Sequence, residues 1–213
     1  MSTKNVAIID YFAGNIYSVT RAFEYAGCEV SVVTEAEKIM TADCAVLPGV
    51  GAFGDGMSRL KEQGMVEGIR EFVQSGKPFL GICLGMQMLF SSSEEFGQNA
   101  GLDLVPGQVT KLPDQAGYKI PHIGWNPVVV PEHAEESLWE KSILASYHSK
   151  RDFYFVHSFA ARTERPEDCL GETLFGDYRF CSVVRRDNIM GTQFHPEKSK
   201  AAGMQLIENF LRL

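Results

Sequence analysis

Short apolar runs alternate with amphipathic segments through the first half of the chain. Four runs have the length and composition of buried strands: residues 6–9, 29–33, 44–47 and 79–82. Three segments between or after them have helical spacing: one capped by Asn15 and stopped by Gly27, one over about 58–74 with a break at Gly64, and one over 84–90. This alternation predicts an α/β fold with a mostly parallel central sheet and helices on both faces.

The second half of the chain shows short β-type runs separated by turns. They lie around Val109 and at residues 128–130, 153–156, 180–184 and 189–194. Asp187 and Asn188 have the composition of a hairpin turn between the last two runs, so we expect antiparallel strands to extend the sheet. An amphipathic helix over 199–213 carries Met204, Ile207, Phe210 and Leu211 on one face. No repeat or long linker interrupts the pattern, which predicts one domain over 1–213.

Composition and charge narrow the class of protein. The chain has 213 residues, 45% of them hydrophobic, which is enough for a well-buried core. A net charge of −7 disfavours binding to nucleic acid or to a membrane surface, and no run of apolar residues is long enough for a membrane span or a signal peptide. The five cysteines are an odd number without metal-type spacing. We therefore expect a cytoplasmic protein with free thiols and no metal or other cofactor.

Cys83 lies between a strand pattern and a helix pattern, inside Gly81-Ile82-Cys83-Leu84-Gly85. This arrangement is typical of a nucleophile on a tight strand-to-helix turn. The helix N-terminus would stabilise the thiolate, and the backbone N–H of Leu84 would point at a developing oxyanion. The alternative is a buried core thiol, which is the commonest fate of a free cysteine and the interpretation favoured for Cys28, Cys44, Cys169 and Cys181.

His195 is the candidate base for Cys83, and Glu197 the carboxylate that would orient it. Both follow the run 189–194, and in an extended segment residues i and i+2 point to the same side, with Pro196 restricting the backbone between them. A solvent-exposed histidine beside a solvated glutamate is the alternative. His157 lies in a strand-like run and is expected to line the site without acting as the base.

A glycine-rich segment, Pro48-Gly49-Val50-Gly51, follows the third strand. An N–H group of Val50 or Gly51 would complement that of Leu84 as the second oxyanion donor. The alternatives are a phosphate-binding loop, for which no nucleotide-binding motif is present, and a plain turn. Because Leu47 and Ile82 would end parallel strands at the same sheet edge, the loop is expected beside Cys83.

These motifs, in this order, resemble those of the class I, triad-type glutamine amidotransferases. The segments are Pro48-Gly49-Val50-Gly51, the heptapeptide from Gly81 to Gln87, and Gln193-Phe194-His195-Pro196-Glu197. The resemblance runs from Val6 to the last helix. Within that family, residues 121–126 and 154–158 resemble most the glutaminase subunits of imidazole glycerol phosphate synthases.

The resemblance implies a flavodoxin-like fold and hydrolysis of glutamine to glutamate and ammonia. Cys83 would form the thioester, His195 would act as base and acid, and Glu197 would orient it. Gln87, Glu95, Ser158 and Phe159 would bind the substrate. A separate (β/α)₈-barrel cyclase subunit would use the ammonia to make imidazole glycerol phosphate and AICAR in histidine biosynthesis, with Asn15 and residues 121–126 near the shared interface.

Tyr11 and Phe12 are bulkier than this resemblance leads us to expect near the site. They keep open an amidotransferase subunit of a paralogous pathway that aminates a surface sugar or another acceptor. A non-catalytic glutamine-sensing module is disfavoured by the complete set of Cys83, His195 and Glu197. A cysteine peptidase or γ-glutamyl hydrolase is disfavoured by Gln87 and by the segment 121–126.

Overall fold

The computed structural model describes residues 3–148 and 150–213. Its strands are β1 (Asn5–Ile9), β2 (Glu29–Val33), β3 (Cys44–Gly49), β4 (Phe79–Cys83), β5 (Phe90–Ser93), β6 (Asn99–Ala100), β7 (Val105–Lys111), β8 (His122–Val129), β9 (Lys150–His157), β10 (Phe159–Thr163), β11 (Cys169–Phe175), β12 (Tyr178–Arg186) and β13 (Ile189–Thr192). Its α-helices are α1 (Ile16–Tyr25), α2 (Ala36–Ile39), α3 (Phe53–Glu62), α4 (Met65–Gln74), α5 (Leu84–Met88) and α6 (Lys200–Leu211).

All the described strands join one mixed sheet. The main path runs β2-β1-β3-β4-β13-β12-β10-β7-β5-β6, and the β8–β9 hairpin is attached through β11, which pairs with β12. Strands β2, β1, β3, β4 and β13 are mutually parallel, whereas β12, β10, β11, β8 and β9 form antiparallel pairs. The predicted α/β class, with antiparallel strands added by the second half, is confirmed.

The central strands are buried on both faces, which explains their continuous apolar runs. Val6 and Ile8 of β1 belong to a core cluster with helices α1 and α6, through Phe23 and Phe210. The intervening residues of β1 point to the opposite face and belong to a second cluster with α3 and α4. Within the described residues, no helix is long and apolar enough to span a membrane.

Two helices follow their sequence signals closely. The side chain of Asn15 accepts a hydrogen bond from the backbone N–H of Ser18 at 3.3 Å, so Asn15 caps α1 as predicted. Gly27 then leaves the helix with φ +87°. On α6 the apolar face buries Leu206, Ile207 and Phe210 in the core, and the helix spans 200–211 rather than 199–213.

The predicted helix over 58–74 is two helices, α3 and α4, separated by Gly64 in the left-handed conformation at φ +67°. Helix α3 begins earlier than predicted because the carboxylate of Glu95 accepts a hydrogen bond from the N–H of Phe53 at 2.7 Å. That cap comes from a residue distant in sequence, and local pattern does not reveal it.

Three other boundaries predicted from the sequence were wrong. Strand β3 continues through Pro48 and Gly49, because the ladder to β4 extends to the pair Gly49 and Cys83. Helix α5 ends at Met88, and Phe90 already belongs to β5, which pairs with β7. The run 189–194 leaves the sheet after Thr192. In each place, strand pairing and not local propensity sets the boundary.

Candidate active site

Cys83 is the last residue of β4 and directly precedes α5, as predicted. Its backbone has φ +56° and ψ −111°, a conformation that residues with a Cβ atom rarely adopt. The flanking glycines are required by space: a Cβ atom on Gly81 would lie 2.7 Å from the backbone nitrogen of Met86, and one on Gly85 would lie 1.7 Å from the carbonyl oxygen of Leu47. The turn is therefore strained at its apex and closely packed on both sides.

The strained apex gives a prediction about stability. We expect Cys83→Gly to be more stable than Cys83→Ala by about 1–2 kcal/mol, because glycine adopts this conformation without the Cβ clash. Urea unfolding of both variants measures the difference. The matched pair is Ala45 and Ala45→Gly on the neighbouring strand β3, where glycine is expected to destabilise. If glycine destabilises equally at both positions, the strain argument is wrong.

A cavity of about 280 Å³ opens at the carboxyl ends of β3 and β4, a size suited to a small ligand. Every predicted site residue except Glu197 lines it: Val50, Gly51, Cys83, Leu84, Gln87, Glu95, Ser158, Phe159 and His195. Pro121, Val156 and His157 complete the lining, which agrees with the expected position of His157. The location is the sheet edge at which α/β folds place ligands.

His195 and Glu197 lie close together, but not through an extended segment. His195 precedes a 3₁₀ turn, Pro196–Lys198, and Glu197 lies in that turn. The Nδ1 atom of His195 is 2.8 Å from Oε1 of Glu197, and their side chains are only 3% and 1% exposed. The expected contact is present, whereas its predicted geometry was wrong because Pro196 starts a turn after β13 ends.

The backbone of His195 is held on both sides. Its N–H donates to the carbonyl of Tyr154 in β9 at 3.0 Å, and its own carbonyl accepts from the hydroxyl of Ser199 at 2.7 Å. The same hydroxyl accepts from the N–H of Tyr154 at 3.0 Å. Because Ser199 bridges the turn and β9, the imidazole has a defined direction before any ligand binds.

Charge distribution within the site favours a protonated His195. Burial by itself lowers the pKa of an imidazole, but the contact with Cys83 and the hydrogen bond with Glu197 outweigh burial and raise the pKa of His195 to about 10. Its Nε2 atom is buried and, among the described residues, has no hydrogen-bond partner. The nitrogen is therefore available to the sulfur of Cys83, whose ionised form the imidazolium would stabilise.

The glycine-rich loop lies against the strand-to-helix turn. Gly49 pairs with Cys83, and a Cβ atom on Gly49 would lie 2.2 Å from the hydroxyl of Tyr11 and 3.0 Å from Cβ of Leu84. Gly51 has φ +105°, a conformation that favours glycine, and the side chain of Val50 is 44% exposed. The loop thus places backbone groups beside the cavity, close to those of Leu84.

Hydrogen bonds within the protein already occupy some polar atoms of the predicted substrate-binding residues, and only the remaining atoms can bind a ligand. The amide nitrogen of Gln87 donates to the carbonyl of Phe159 at 2.9 Å and to Oε1 of Gln193 at 3.0 Å, so only its oxygen is free. One carboxylate oxygen of Glu95 caps α3, and burial raises the pKa of Glu95. The carbonyl of Ser158 accepts from the N–H of Leu112.

Two buried side chains beside the site were absent from the predicted set. Gln193 is fully buried, and its Nε2 atom lies 3.8 Å from Sγ of Cys83. His122 lies 3.0 Å from His157, Nδ1 to Nε2, and His157 in turn is 2.8 Å from the carbonyl of Phe159. The position of Gln193, two residues before His195 in a strand-like run, was the signal available for it; the pairing of β8 with β9 was needed for His122.

The histidine pair makes stability depend on pH. Burial lowers the pKa of His157 to about 3, with a further contribution from His122, and lowers that of His122 to about 4. The unfolded chain, with ordinary values near 6.5, binds more protons in acid, so stability is full above about pH 6.5 and falls as the pH drops toward 4. We expect His157→Gln to lose less stability than the wild type between pH 7.5 and 5 in urea unfolding. Exposed His133→Gln is the control, and equal losses in all three proteins would contradict the argument.

Comparison with known proteins defines the class. The family model described as "Glutamine amidotransferase class-I" matches residues 7–213, so the chain belongs to this family. Among the described residues, no group of three or more histidine, cysteine or acidic side chains is placed to hold a metal ion.

Within this family the chain is similar to particular subunits. It is 47% identical over 213 residues to imidazole glycerol phosphate synthase subunit HisH 1 of Legionella pneumophila strain Paris, covering 98% of this chain and 99% of that protein. It is 46% identical to subunit HisH of Sulfurimonas denitrificans, covering 97% of each.

Solved structures share the fold at low identity. The structure of PurLQS from Thermotoga maritima has a TM-score of 0.74 at 18% identity, covering 99% of this chain and 98% of that one. The glutaminase domain of Trypanosoma brucei CTPS, solved with bound acivicin, has a TM-score of 0.66 at 18% identity, covering 98% and 92%.

Proposed function

We propose that this protein hydrolyses L-glutamine to glutamate and ammonia as the glutaminase subunit of an imidazole glycerol phosphate synthase. The observation that carries the proposal is that Cys83 and His195 line one cavity, with Glu197 2.8 Å from His195 behind it. Membership of the class I amidotransferases and 46–47% identity to HisH subunits over nearly the whole chain support the same function.

In the first half of the reaction, the Cys83 thiolate attacks the side-chain amide carbon of glutamine. The negative charge that develops on the amide oxygen is stabilised by the N–H of Leu84 and by an N–H of Val50 or Gly51. His195, protonated on Nε2, donates its proton to the leaving nitrogen, and ammonia departs as the thioester forms.

In the second half, a water molecule attacks the thioester while His195 accepts its proton. The tetrahedral intermediate collapses, the carbon–sulfur bond breaks, and glutamate leaves with Cys83 again a thiolate and His195 again protonated. Glu197 keeps the imidazole in the orientation and tautomer that both halves need.

Recognition of glutamine is assigned to the free polar groups around the cavity. The oxygen of Gln87 and the second carboxylate oxygen of Glu95 are acceptors suited to the α-ammonium group. The carbonyls of Ser158 and Phe159 already accept bonds within the chain, so these residues would contact the substrate through N–H groups or the Ser158 hydroxyl. No metal or organic cofactor takes part in these steps.

The released ammonia is proposed to pass to a (β/α)₈-barrel cyclase subunit, which makes imidazole glycerol phosphate and AICAR for histidine biosynthesis. Exposed large apolar side chains support a docked partner: Phe12 is 67% exposed, Tyr17 75%, Ile123 59% and Trp125 47%. Ile123 and Trp125 follow closely after Pro121, which lines the cavity itself. A cytoplasmic location fits the five free thiols.

The test mixes the purified chain with a cyclase subunit and glutamine and measures glutamate. We expect partner-dependent glutamate release in the wild type and only background with Cys83→Ala. Mass spectrometry after treatment with a glutamine-mimicking electrophile should locate the adduct on Cys83. Activity retained by Cys83→Ala, or an adduct elsewhere, would reject the mechanism.

The pathway is tested separately by deleting the gene. Histidine auxotrophy is expected. Unaffected growth without histidine, combined with intact glutaminase chemistry, would favour the alternative of a paralogous amidotransferase subunit. The bulky Tyr11 and Phe12 are the residues that keep this alternative open. Glutamine binding without any reaction at Cys83 would instead favour a glutamine-sensing module.

A further inference from the structure

Gln193 is fully buried directly after β13, two residues before His195. The side chains of Gln193 and His195 face the site, whereas the hydroxyl of Thr192, directly before Gln193, donates to the carbonyl of Phe194. A buried carboxamide must have its donors and acceptors satisfied, since an unpaired buried amide is unfavourable by about 1–3 kcal/mol. Its surroundings therefore reveal which way the amide points.

Three linked hydrogen bonds determine that orientation. The carbonyl oxygen of Phe159 is only an acceptor, so the Gln87 atom 2.9 Å from it must be the amide nitrogen. The same nitrogen lies 3.0 Å from the Gln193 side chain, which must therefore present its oxygen to Gln87. The remaining atom of the Gln193 amide is the nitrogen, and it lies 3.8 Å from Sγ of Cys83.

From this geometry we propose that Gln193 is a further catalytic residue, whose amide N–H donates a hydrogen bond to the Cys83 thiolate, with Gln87 as the residue that positions it. The inference deepens the proposed function, on which it rests for the nucleophilic role of Cys83. A donor at this place stabilises the ionised sulfur once the proton has moved from Sγ to Nε2 of His195.

The opposite side of the sulfur explains why a donor matters. The carbonyl oxygen of Val156 lies 3.9 Å from Sγ and can only accept, so it favours the thiol over the thiolate. Gln193 and Val156 thus favour different protonation states of one atom. Removing the Gln193 donor leaves the effect of the Val156 carbonyl on the sulfur without this counterpart.

Other titratable groups near the sulfur come from separate elements. His195 precedes the turn after β13, Glu197 lies in that turn, and His157 ends β9. Tyr11 lies in the segment after β1, and its buried hydroxyl has no partner in the described part of the chain. None of them contributes a hydrogen bond to Gln193 among the described residues. A change at Gln193 is therefore separable from a change in these groups.

The test is the pH profile of Cys83 alkylation by iodoacetamide in the free, intact chain, followed by mass spectrometry of the Cys83 peptide. It needs neither glutamine nor a partner. In Gln193→Met we expect the midpoint of the profile to rise by about one unit and the rate at pH 7 to fall about tenfold, which is the effect of losing one hydrogen bond to a charged group. Thr192→Val, at the neighbouring and equally buried position, is the matched control, with an unchanged profile expected.

A second variant covers the case in which Gln193→Met does not fold. Gln87→Met keeps Gln193 but removes the group that orients it, and a smaller shift of the same sign is expected. An unchanged profile in a folded Gln193→Met, or in Gln87→Met where the first variant does not fold, overturns the proposal, as does an equal shift in Thr192→Val. Failure of the wild type to release glutamate with a partner would reject the glutaminase function instead, and the alkylation profile distinguishes the two results.

Discussion

Replacing Glu197 by glutamine is expected to lower the rate of glutamine hydrolysis about 10⁴-fold, with little change in the shape of the side chain at this position. The carboxylate accepts from Nδ1 of His195 at 2.8 Å, and both side chains are almost completely buried. A glutamine of the same size can offer its amide group to Nδ1 and hold the imidazole in the wrong tautomer. The loss should appear in kcat of the partner-activated reaction, because Glu197 acts through His195 and does not line the cavity.

The pH dependence of stability supplies an independent readout for the same variant. The pKa of His195 is raised to about 10, so the interactions of the imidazolium stabilise the fold below about pH 6.5 and are lost as the pH rises through 10. Glu197→Gln weakens them, so its deficit in unfolding free energy should be largest near neutral pH and shrink toward pH 10. Glu208→Gln, at a partly exposed carboxylate on α6, is the control with full activity. An active Glu197→Gln enzyme would remove Glu197 from the mechanism.

Replacing Gly85 by alanine is expected to destabilise the protein by at least about 3 kcal/mol. The added Cβ atom would lie 1.7 Å from the carbonyl oxygen of Leu47, which is backbone in the middle of the parallel sheet and cannot rotate away. For a chain of this length the loss corresponds to a fall in Tm of about 10 °C. The clash also separates α5 from β3, so the oxyanion donors of Leu84 and the glycine-rich loop should lose their spacing.

Thermal and urea unfolding measure this effect, with Gly14→Ala as the control. A Cβ atom on Gly14 would meet its nearest neighbour, Cδ1 of Ile16, at an ordinary 3.5 Å, and we expect a change below about 0.5 kcal/mol. A Gly85→Ala protein as stable as the wild type would mean that the turn at Cys83 is not closely packed against β3.

The local sequence pattern was sufficient to predict the central strands and the residue types that line the site. Residues 6–9 and 79–82 are continuously apolar because helices cover both faces of the sheet, and such runs have few other interpretations. Cys83 between two glycines indicates a strand-to-helix turn because only glycine fits beside it.

The local pattern did not predict contacts between residues that are distant in sequence. The cap of α3 by Glu95, the end of the run 189–194 and the partner of His157 all depend on residues distant in sequence. Hydrophobic periodicity reports the burial of a side chain and its face, but it contains no information about which distant group satisfies a given polar atom.

The sequence by itself determined the fold class, the candidate nucleophile and base, and most of the cavity lining, because each follows from local spacing and residue type. Only the tertiary structure decided how His195 meets Glu197, through a 3₁₀ turn and not an extended strand, and which atom of Gln87 remains free. It also brought Gln193 to the sulfur of Cys83. The physical reason is that hydrogen-bond direction depends on the position of both partners, and these partners meet only when strands β4, β9 and β13 converge around one cavity.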